Sequence, residues 1–599
     1  MGQGYSVRLP RVNGQSASAL WGLQPAILLL ALLLQIGTVF SQTSAQLAVE
    51  IDGVGSQQEQ NIRSFLSIQQ LHNKTVTSRA RLRYLHNQAE SEILRALQPY
   101  GFYRASVTAI LTQQDQNWLA RYQIDPGPPL PIGQLDIQLQ GDALQDQAFA
   151  SLIEASTVRQ GATLVHSDYE NLKRQLRSLA AERGYFRAAF TQQEVVVDLG
   201  RYDARIRLSF DSGPRFLVGE LRFTPGPLDI DFLQRYVPFK SGDPIQSSAL
   251  IDLQTTLVDT DYFQRVEVSP LWDQAKDARV PVDINLAPNK RTKYQSGLGY
   301  GTDTGVRAKL GMTQRWVNTR GHQLNTQLLT SQIRNSLDSR YAIPGENPKL
   351  DRYAVHLSLS DENSDSIDAQ NYTLGVSWQT QRRGWEQLLV LDWAEETFTF
   401  GDEEQTSNFL IPQLNLTRVK AVNRLDIRQG QRLTLQLRGA SNALLSDTDF
   451  AQILVGGKWV HSLTPKLRLL GRLDAGLTLI DDFDQLPATL RFYAGGDTSV
   501  RGYDYQSLGL TDDSGDVIGG PHLVVMSAEV DYRIKPSWGV AAFVDSGNAF
   551  DDSTLRLNTG IGVGLRWFSP IGPVRLDLGF PQDGDEKDFR VHFSLGPDL

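Results

Sequence analysis

From Lys290 onward the chain abandons helical periodicity and alternates apolar with polar residues, one strand-length segment after another. In "LRLLGRLDAGLTL", Leu467, Leu469, Leu473, Ala475, Leu477 and Leu479 share one face, while Lys466, Arg468, Arg472, Asp474 and Thr478 share the other. "VMSAEVDYRI" sets Val524, Met526, Ala528, Val530, Tyr532 and Ile534 against Ser527, Glu529, Asp531 and Arg533. "TGIGVGLRW" sets Ile561, Val563, Leu565 and Trp567 against Gly560, Gly562, Gly564 and Arg566. "FRVHFSLG" separates Phe589, Val591, Phe593 and Leu595 from Arg590, His592, Ser594 and Gly596. A period of two is the signature of a strand with two unlike faces.

A soluble sandwich also alternates, with its apolar face inward. Here the polar faces are dense in charge, and no helical pattern remains to cover a sheet. A closed barrel with lipid outside and a polar lumen satisfies both facts, because a bilayer tolerates spanning strands only when no edge is left open. About 310 residues at roughly 10 per strand, with turns and longer outer loops, predict about 16 antiparallel strands from residue 289 to 599. "GIGVG" superficially resembles a phosphate-cradling loop, but it sits inside an alternating strand instead of opening a helix. Its glycines are expected to leave lumen space free.

The first half reads differently. "GFYRASV" at Gly101, "GYFRAAF" at Gly184 and "DYFQRVEV" at Asp261 recur at about 80-residue intervals. Leucines at helical spacing precede the second and third, as Leu172, Leu176 and Leu179, then Leu250, Leu253 and Leu257. Alternating strands such as "ARYQID" and "ARIRLSF" follow, ending at Gly127-Pro128 and Gly213-Pro214. Each unit therefore reads as a strand, two helices and two strands, a pattern that resembles the POTRA domain. The expected units span 46–131, 132–216 and 217–288. Small mixed sheets expose edges that accept another strand, so binding is their natural use.

Arg8 and Arg11 precede the apolar run "PAILLLALLLQIGTVF", and Thr43 and Ala45 follow it. The pattern fits a secretory signal peptide over 1–45. A retained anchor is the alternative, although the run is shorter than the ~20 residues a helical span needs. There are no cysteines, which excludes disulfides and thiolate chemistry. The formal net charge of -9, with both signs mixed along the chain, gives no basic footprint for nucleic acid. The histidines are scattered, no Walker or HExxH sequence occurs, and no nucleophile–base set is visible. No enzyme activity, cofactor or metal is expected.

One segment needs a partner inside the barrel: "RFYAGGDTSVRGYDYQSLG", Arg491 to Gly509. The strand carrying Glu529 follows it, and in "VAAFVDSGNAF" Phe543 and Asp545 lie opposite Ala542 and Val544. Glu529 and Asp545 are thus placed on the lumen side, where the Arg501 guanidinium can make charge-assisted bonds to them. Glycines beside it permit close backbone approach. "VRGY" from Val500 to Tyr503, followed by "SLG", resembles the signature of the sixth extracellular loop in the BamA/TamA/two-partner-secretion superfamily. "FVDSGNAF" and "SPIGPVRLDLGFP" resemble that family's closing strand motifs. The resemblance implies a loop lock built from Arg501, Gly502 and Tyr503 with Asp545 and Glu529. Three POTRA-like units, and the ending "FSLGPDL", resemble the TamA branch, although Phe593 lies inside the usual terminal-aromatic position.

The first barrel strand, "YQSGLGYGTDTG", is rich in glycine, with Gly297 and Gly299 at its centre, and poor in β-branched residues. It must close against Phe589, Val591, Phe593 and Leu595. A weak seam there is expected to open sideways and template a client strand without ATP. The resemblance implies a TamB-like inner-membrane-anchored partner, unfolded outer-membrane protein clients and contact with outer-membrane lipid, in the outer membrane of a Gram-negative bacterium with the POTRA units in the periplasm. It also implies a role in autotransporter assembly or lipid transport. A two-partner secretion pore is the alternative, with two POTRA units and a plug helix. "QLAVEIDGVG" reads as strand and turn where that plug would lie. A passive porin is the remoter alternative.

Overall fold

The computed structural model describes residues 45–595 apart from 116, 401–402, 423–425, 552, 554, 570–571 and 584–587. The expected signal peptide, except Ala45, and the segment 596–599 lie outside the described residues. The chain divides into two compact units, the first holding residues up to 181 with 186–214, the second 182–185 with 215 onward.

The first unit contains two small α+β domains. One runs β1 (Leu47–Asp52), α1 (Ser56–Phe65), α2 (Arg79–Leu97), β2 (Ser106–Gln114) and β3 (Asn117–Asp125), with sheet order β1-β3-β2. Its core is the inward face of β1, Leu47, Val49 and Ile51, packed on Leu82, Ala89 and Ile93 of α2. Ser78 caps α2 by accepting the Arg81 amide, which satisfies an otherwise unpaired donor. The next domain repeats the plan as β4 (Ile132–Gln140), α3 (Gln147–Glu154), α4 (His166–Glu182), β5 (Ala189–Asp198) and β6 (Asp203–Asp211), in the order β4-β6-β5. Leu172 and Leu176 are fully buried, as their helical spacing requires.

The second unit opens with a third copy: β7 (Leu217–Phe223), α5 (Ile230–Gln234), α6 (Ser247–Asp259), β8 (Phe263–Pro270) and β9 (Arg279–Pro288), order β7-β9-β8. In all three sheets the last strand is central, parallel to the first and antiparallel to the second. Leu250, Leu253 and Leu257 seat α6 on this sheet.

Sixteen antiparallel strands follow. The first half comprises β10 (Thr292–Gly301), β11 (Gly305–Gln314), β12 (Gln323–Ser331), β13 (Arg334–Pro344), β14 (Arg352–Asn363), β15 (Asp368–Arg382), β16 (Trp385–Phe400) and β17 (Glu403–Ala421). Then come β18 (Gln429–Ala440), β19 (Phe450–Ser462) and β20 (Leu467–Ile480). A long loop, residues 481–521, carries the short pair β21 (Leu510–Thr511) and β22 (Val517–Gly519). The wall resumes with β23 (His522–Lys535), β24 (Trp538–Phe550), β25 (Asn558–Ser569), β26 (Gly572–Pro581) and β27 (Arg590–Leu595). Leu298, Leu374, Leu473, Val530 and Val563 all point outward and stay exposed, which is an apolar belt for lipid. Stacked pairs Tyr353–Trp378 and Trp538–Trp567 lie at the end of the wall from which β10 starts, where aromatic rings suit a membrane interface.

Among the described residues no ladder joins β10 to β27. The expected closure of the wall is therefore incomplete. Glycines 297, 299 and 301 weaken β10, and β27 offers only six residues. The sheet is one long antiparallel ribbon whose two ends meet without pairing.

Candidate functional site

The loop 481–521 folds into the lumen, and its base is bound before its tip. Arg491 donates to the carbonyls of Leu486 at 2.8 Å and Asp484 at 3.0 Å, curling the entry into a compact turn. Gln452 on β19 donates to the Leu490 carbonyl at 3.0 Å, and Thr489 hydrogen-bonds to Glu396 of β16. From β20 the Arg472 guanidinium donates to the carbonyls of Thr498 and Ser499. Phe492, Ala494, Val500, Tyr503 and Leu508 pack with Leu523, Val525 and Ala549 of the wall, so the descent is apolar as well as polar.

Arg501 lies at the bottom of this descent. Its Nε and one terminal nitrogen donate to both oxygens of Asp545 at 2.7 and 3.0 Å. The other terminal nitrogen donates to Glu529 at 2.8 Å and to Asp577 at 2.9 Å. Its backbone amide also reaches Asp545, at 3.2 Å. The guanidinium carbon sits 3.4 Å from the Phe543 ring centroid. Asp545 is fully buried and is held from its other side by the Ser527 hydroxyl at 2.5 Å. Bidentate pairing of this kind needs a planar cation, which is why the position carries arginine and not lysine.

Asp577 and Arg566 belong to the same site, although the loop motif does not mention them. Arg566, with no exposed surface, donates to Glu529 at 2.7 Å and also pairs with Asp577. Its Nε lies 3.4 Å from Asp531, which is bound in turn by Arg468. Alternation sets Arg566 on the polar face of its strand, while Asp577 carries no sequence assignment. What alternation lacks is register: Glu529 pairs with Phe543, and Gly564 with Asp577, only once the ladders are known.

Gly502 has φ +102, a backbone conformation that favours glycine, and a Cβ there would also crowd the Pro581 nitrogen at 3.1 Å. Its amide donates to His592 Nε2 at 2.8 Å. The Tyr503 hydroxyl lies 3.2 Å from the carbonyls of Thr559 and Asp583. The "GIGVG" glycines do not leave the lumen free, contrary to expectation. A Cβ on Gly560 would fall 1.9 Å from the Arg501 carbonyl, and one on Gly562 would fall 2.2 Å from the Phe543 ring. Loop backbone and aromatic ring fill the space that the missing side chains release.

The seam residues are not gathered into this site. Gly297 and Gly299 lie on the inner face of β10, and a Cβ on Gly297 would meet nothing within 4 Å. Phe589 precedes β27, and Val591, Phe593 and Leu595 line its outer face; all four are exposed. Where the two seam ends approach the loop, Asp303, Asp497 and His592 bring their donor atoms within 4.8 Å of one another. A metal does not suit this trio. The Gly502 amide occupies the Nε2 lone pair, so the ring's single proton is on Nδ1, the nitrogen a metal would need.

A barrel with an outer apolar belt, an arginine-locked inward loop and three POTRA-like domains before its first strand defines an outer-membrane protein with a periplasmic array of POTRA domains. Sequence comparison places it further. The Omp85 superfamily domain matches residues 298–598, about half of the chain, and the chain belongs to that superfamily. Residues 48–126 match POTRA domain TamA domain 1. The outer membrane assembly factor BamA of Nitratidesulfovibrio vulgaris is 25% identical over 386 residues, covering 60% of this chain and 48% of that protein. The chloroplastic outer envelope protein 80 of Arabidopsis thaliana is 31% identical over 117 residues, 18% of this chain and 14% of that one. The chain thus spans about half the length of the BamA relative, and less of the plant one. The crystal structure of Haemophilus ducreyi BamA lacking POTRA domains 1-3 superposes with a TM-score of 0.65 at 16% identity, covering 78% of this chain and 99% of that one, a likeness of fold. The barrel lies in the outer membrane with its POTRA domains in the periplasm, so the β10–β11 turn and the loop 481–521 open on the extracellular side.

Proposed function

We propose that this chain inserts or translocates outer-membrane clients, autotransporters among them, by opening the β10–β27 seam to the lipid and pairing the freed edges with client strands. The observation that carries this reading is the seam itself: sixteen strands form one sheet whose first and last members share no ladder among the described residues. An unpaired edge in lipid is expensive unless another strand satisfies it, and a client strand does so. The loop lock supports the reading by holding the lumen filled while the wall opens. The work is binding and strand exchange, with no ATP and no catalytic step. The POTRA array, divided as 46–131, 132–216 and 217–288, offers edge strands such as β2 for a TamB-like inner-membrane-anchored partner, and contact with outer-membrane lipid fits the same path.

Because the chain has no cysteine, the test is clean. Cysteine pairs are scanned between Gly297–Gly301 and Val591–Leu595, and insertion of a reporter barrel is measured before and after oxidation. Loss of insertion on oxidation, restored by reductant, supports lateral opening. Full insertion through a covalently closed seam removes it. Photocrosslinking from the first POTRA domain tests the partner: a single very large inner-membrane-anchored protein is expected, and a secreted adhesin in its place indicates a two-partner pore.

A further inference from the structure

Asp497 touches both ends of the open ribbon. Its backbone amide donates to Asp303 in the β10–β11 turn at 2.8 Å. The Thr302 hydroxyl in the same turn lies 2.9 Å from each of its carboxylate oxygens. On the other side, His592 Nδ1 is 2.6 Å from the same carboxylate. His592 accepts the Gly502 amide at Nε2, so Nδ1 carries the proton and donates it to Asp497 in a charge-assisted bond. The Phe593 amide reaches Thr302 Oγ1 at 3.4 Å, a direct but long contact between the two seam ends. Arg590 of β27 pairs with Asp504 a few residues further along the loop.

These bonds lie in series: first hairpin, loop, last strand. The loop segment is itself fixed from β20 by Arg472. The His592 side chain is 5% exposed and that of Asp497 11%, so water does not compete freely for the bonds between them. We propose that Asp497 is the latch of the seam, a loop residue that holds the first and last strands together at the extracellular end where no ladder does. The Arg501 side chain fixes the loop to β23, β24 and β26 and the Gly502 amide reaches His592 of β27; the latch couples that last strand to the β10–β11 turn. Asp497 and His592 are positioning residues, and they act on how far apart the seam edges stand.

This inference rests on lateral opening for its meaning, but its test needs no client. In the full chain in nanodiscs, spin labels are placed on Val306→Cys of β11 and Leu578→Cys of β26, outward-facing positions one strand back from each seam edge. Pulsed dipolar spectroscopy should give one distance population in the parent. Asp497→Ala should add a second, longer population, and so should His592→Phe, which keeps a ring but loses both hydrogen bonds. Asp481→Ala, exposed in the same loop, should leave the distribution unchanged. If Asp497→Ala does not fold, His592→Phe and Thr302→Val decide. A folded variant of Asp497 or His592 with the parent's distribution overturns the latch. That outcome leaves the insertion proposal standing, since the oxidation test decides it separately.

Discussion

Arg501 has its guanidinium engaged on three carboxylates in a water-poor site, and that geometry sets what its removal does. Arg501→Ala leaves Asp545 buried against a lost partner, and breaking a buried pair from one side costs about 3–5 kcal/mol. The urea midpoint of the refolded barrel should fall accordingly, and protease should enter the loop. Arg501→Lys should rescue little, because an ammonium cannot hold Asp545 with two parallel bonds and also reach Glu529 and Asp577. Asp303, in the extracellular turn, behaves in the opposite sense to a paired acid. Burial, and then the neighbouring Asp497 carboxylate, push it up to about 6, against the Asp497 amide that donates to it, with His592 and Tyr505 the other titratable groups facing it. Its folded-state value exceeds the usual one, so its contribution favours the folded turn at acid pH and declines as pH rises from about 4 towards about 6. Asp303→Asn should abolish this part of the pH dependence while keeping an acceptor for the Asp497 amide. Spin-label distances at pH 5 and 7.5 in both proteins isolate it, and identical pH profiles would contradict the assignment.

Among the elements, β25 and β10 both use glycine, for different ends. A Cβ on Gly562 of β25 would fall 2.2 Å from both the Phe543 ring and the Leu578 carbonyl, so Gly562→Ala overpacks the wall at a cost of about 1–3 kcal/mol. Gly297 on β10 faces open space, so Gly297→Val should fold, stiffen the strand and slow client insertion. Unchanged insertion kinetics would show that flexibility of β10 is irrelevant. The alternation of Ser527, Glu529 and Asp531 already told which residues line the lumen, and the VRGY segment told that an arginine seeks them. Neither revealed Arg566 and Asp577, because period two assigns a face but not a register, and their meeting depends on the ladders from β23 to β26. The latch was hidden for a stronger reason: Asp303, Asp497 and His592 lie about 95 to 289 residues apart, with no shared motif, and only the inward-folded loop between the two ends of the wall brings them together. The POTRA-like units were more legible, since each buries a face that its own local sequence encodes.

Over the whole molecule, the third small domain is continuous with the start of the barrel. Tyr262 donates to the Gly321 carbonyl at 2.5 Å, and Arg315 pairs with Asp261 at 2.8 Å, so the β11–β12 turn is seated on the domain that precedes β10. A load on that domain is therefore delivered two strands from the seam. The most direct measurement is disulfide mapping of a stalled client, with single cysteines along β10 at Ser296, Gly297, Leu298 and Gly299, and others in the lumen at Arg432 and Lys458. Lateral templating requires crosslinks from the client's terminal strand to β10 in a register that advances residue by residue. Crosslinks confined to Arg432 and Lys458, with β10 silent, would show that the client threads the lumen and would contradict opening at the seam.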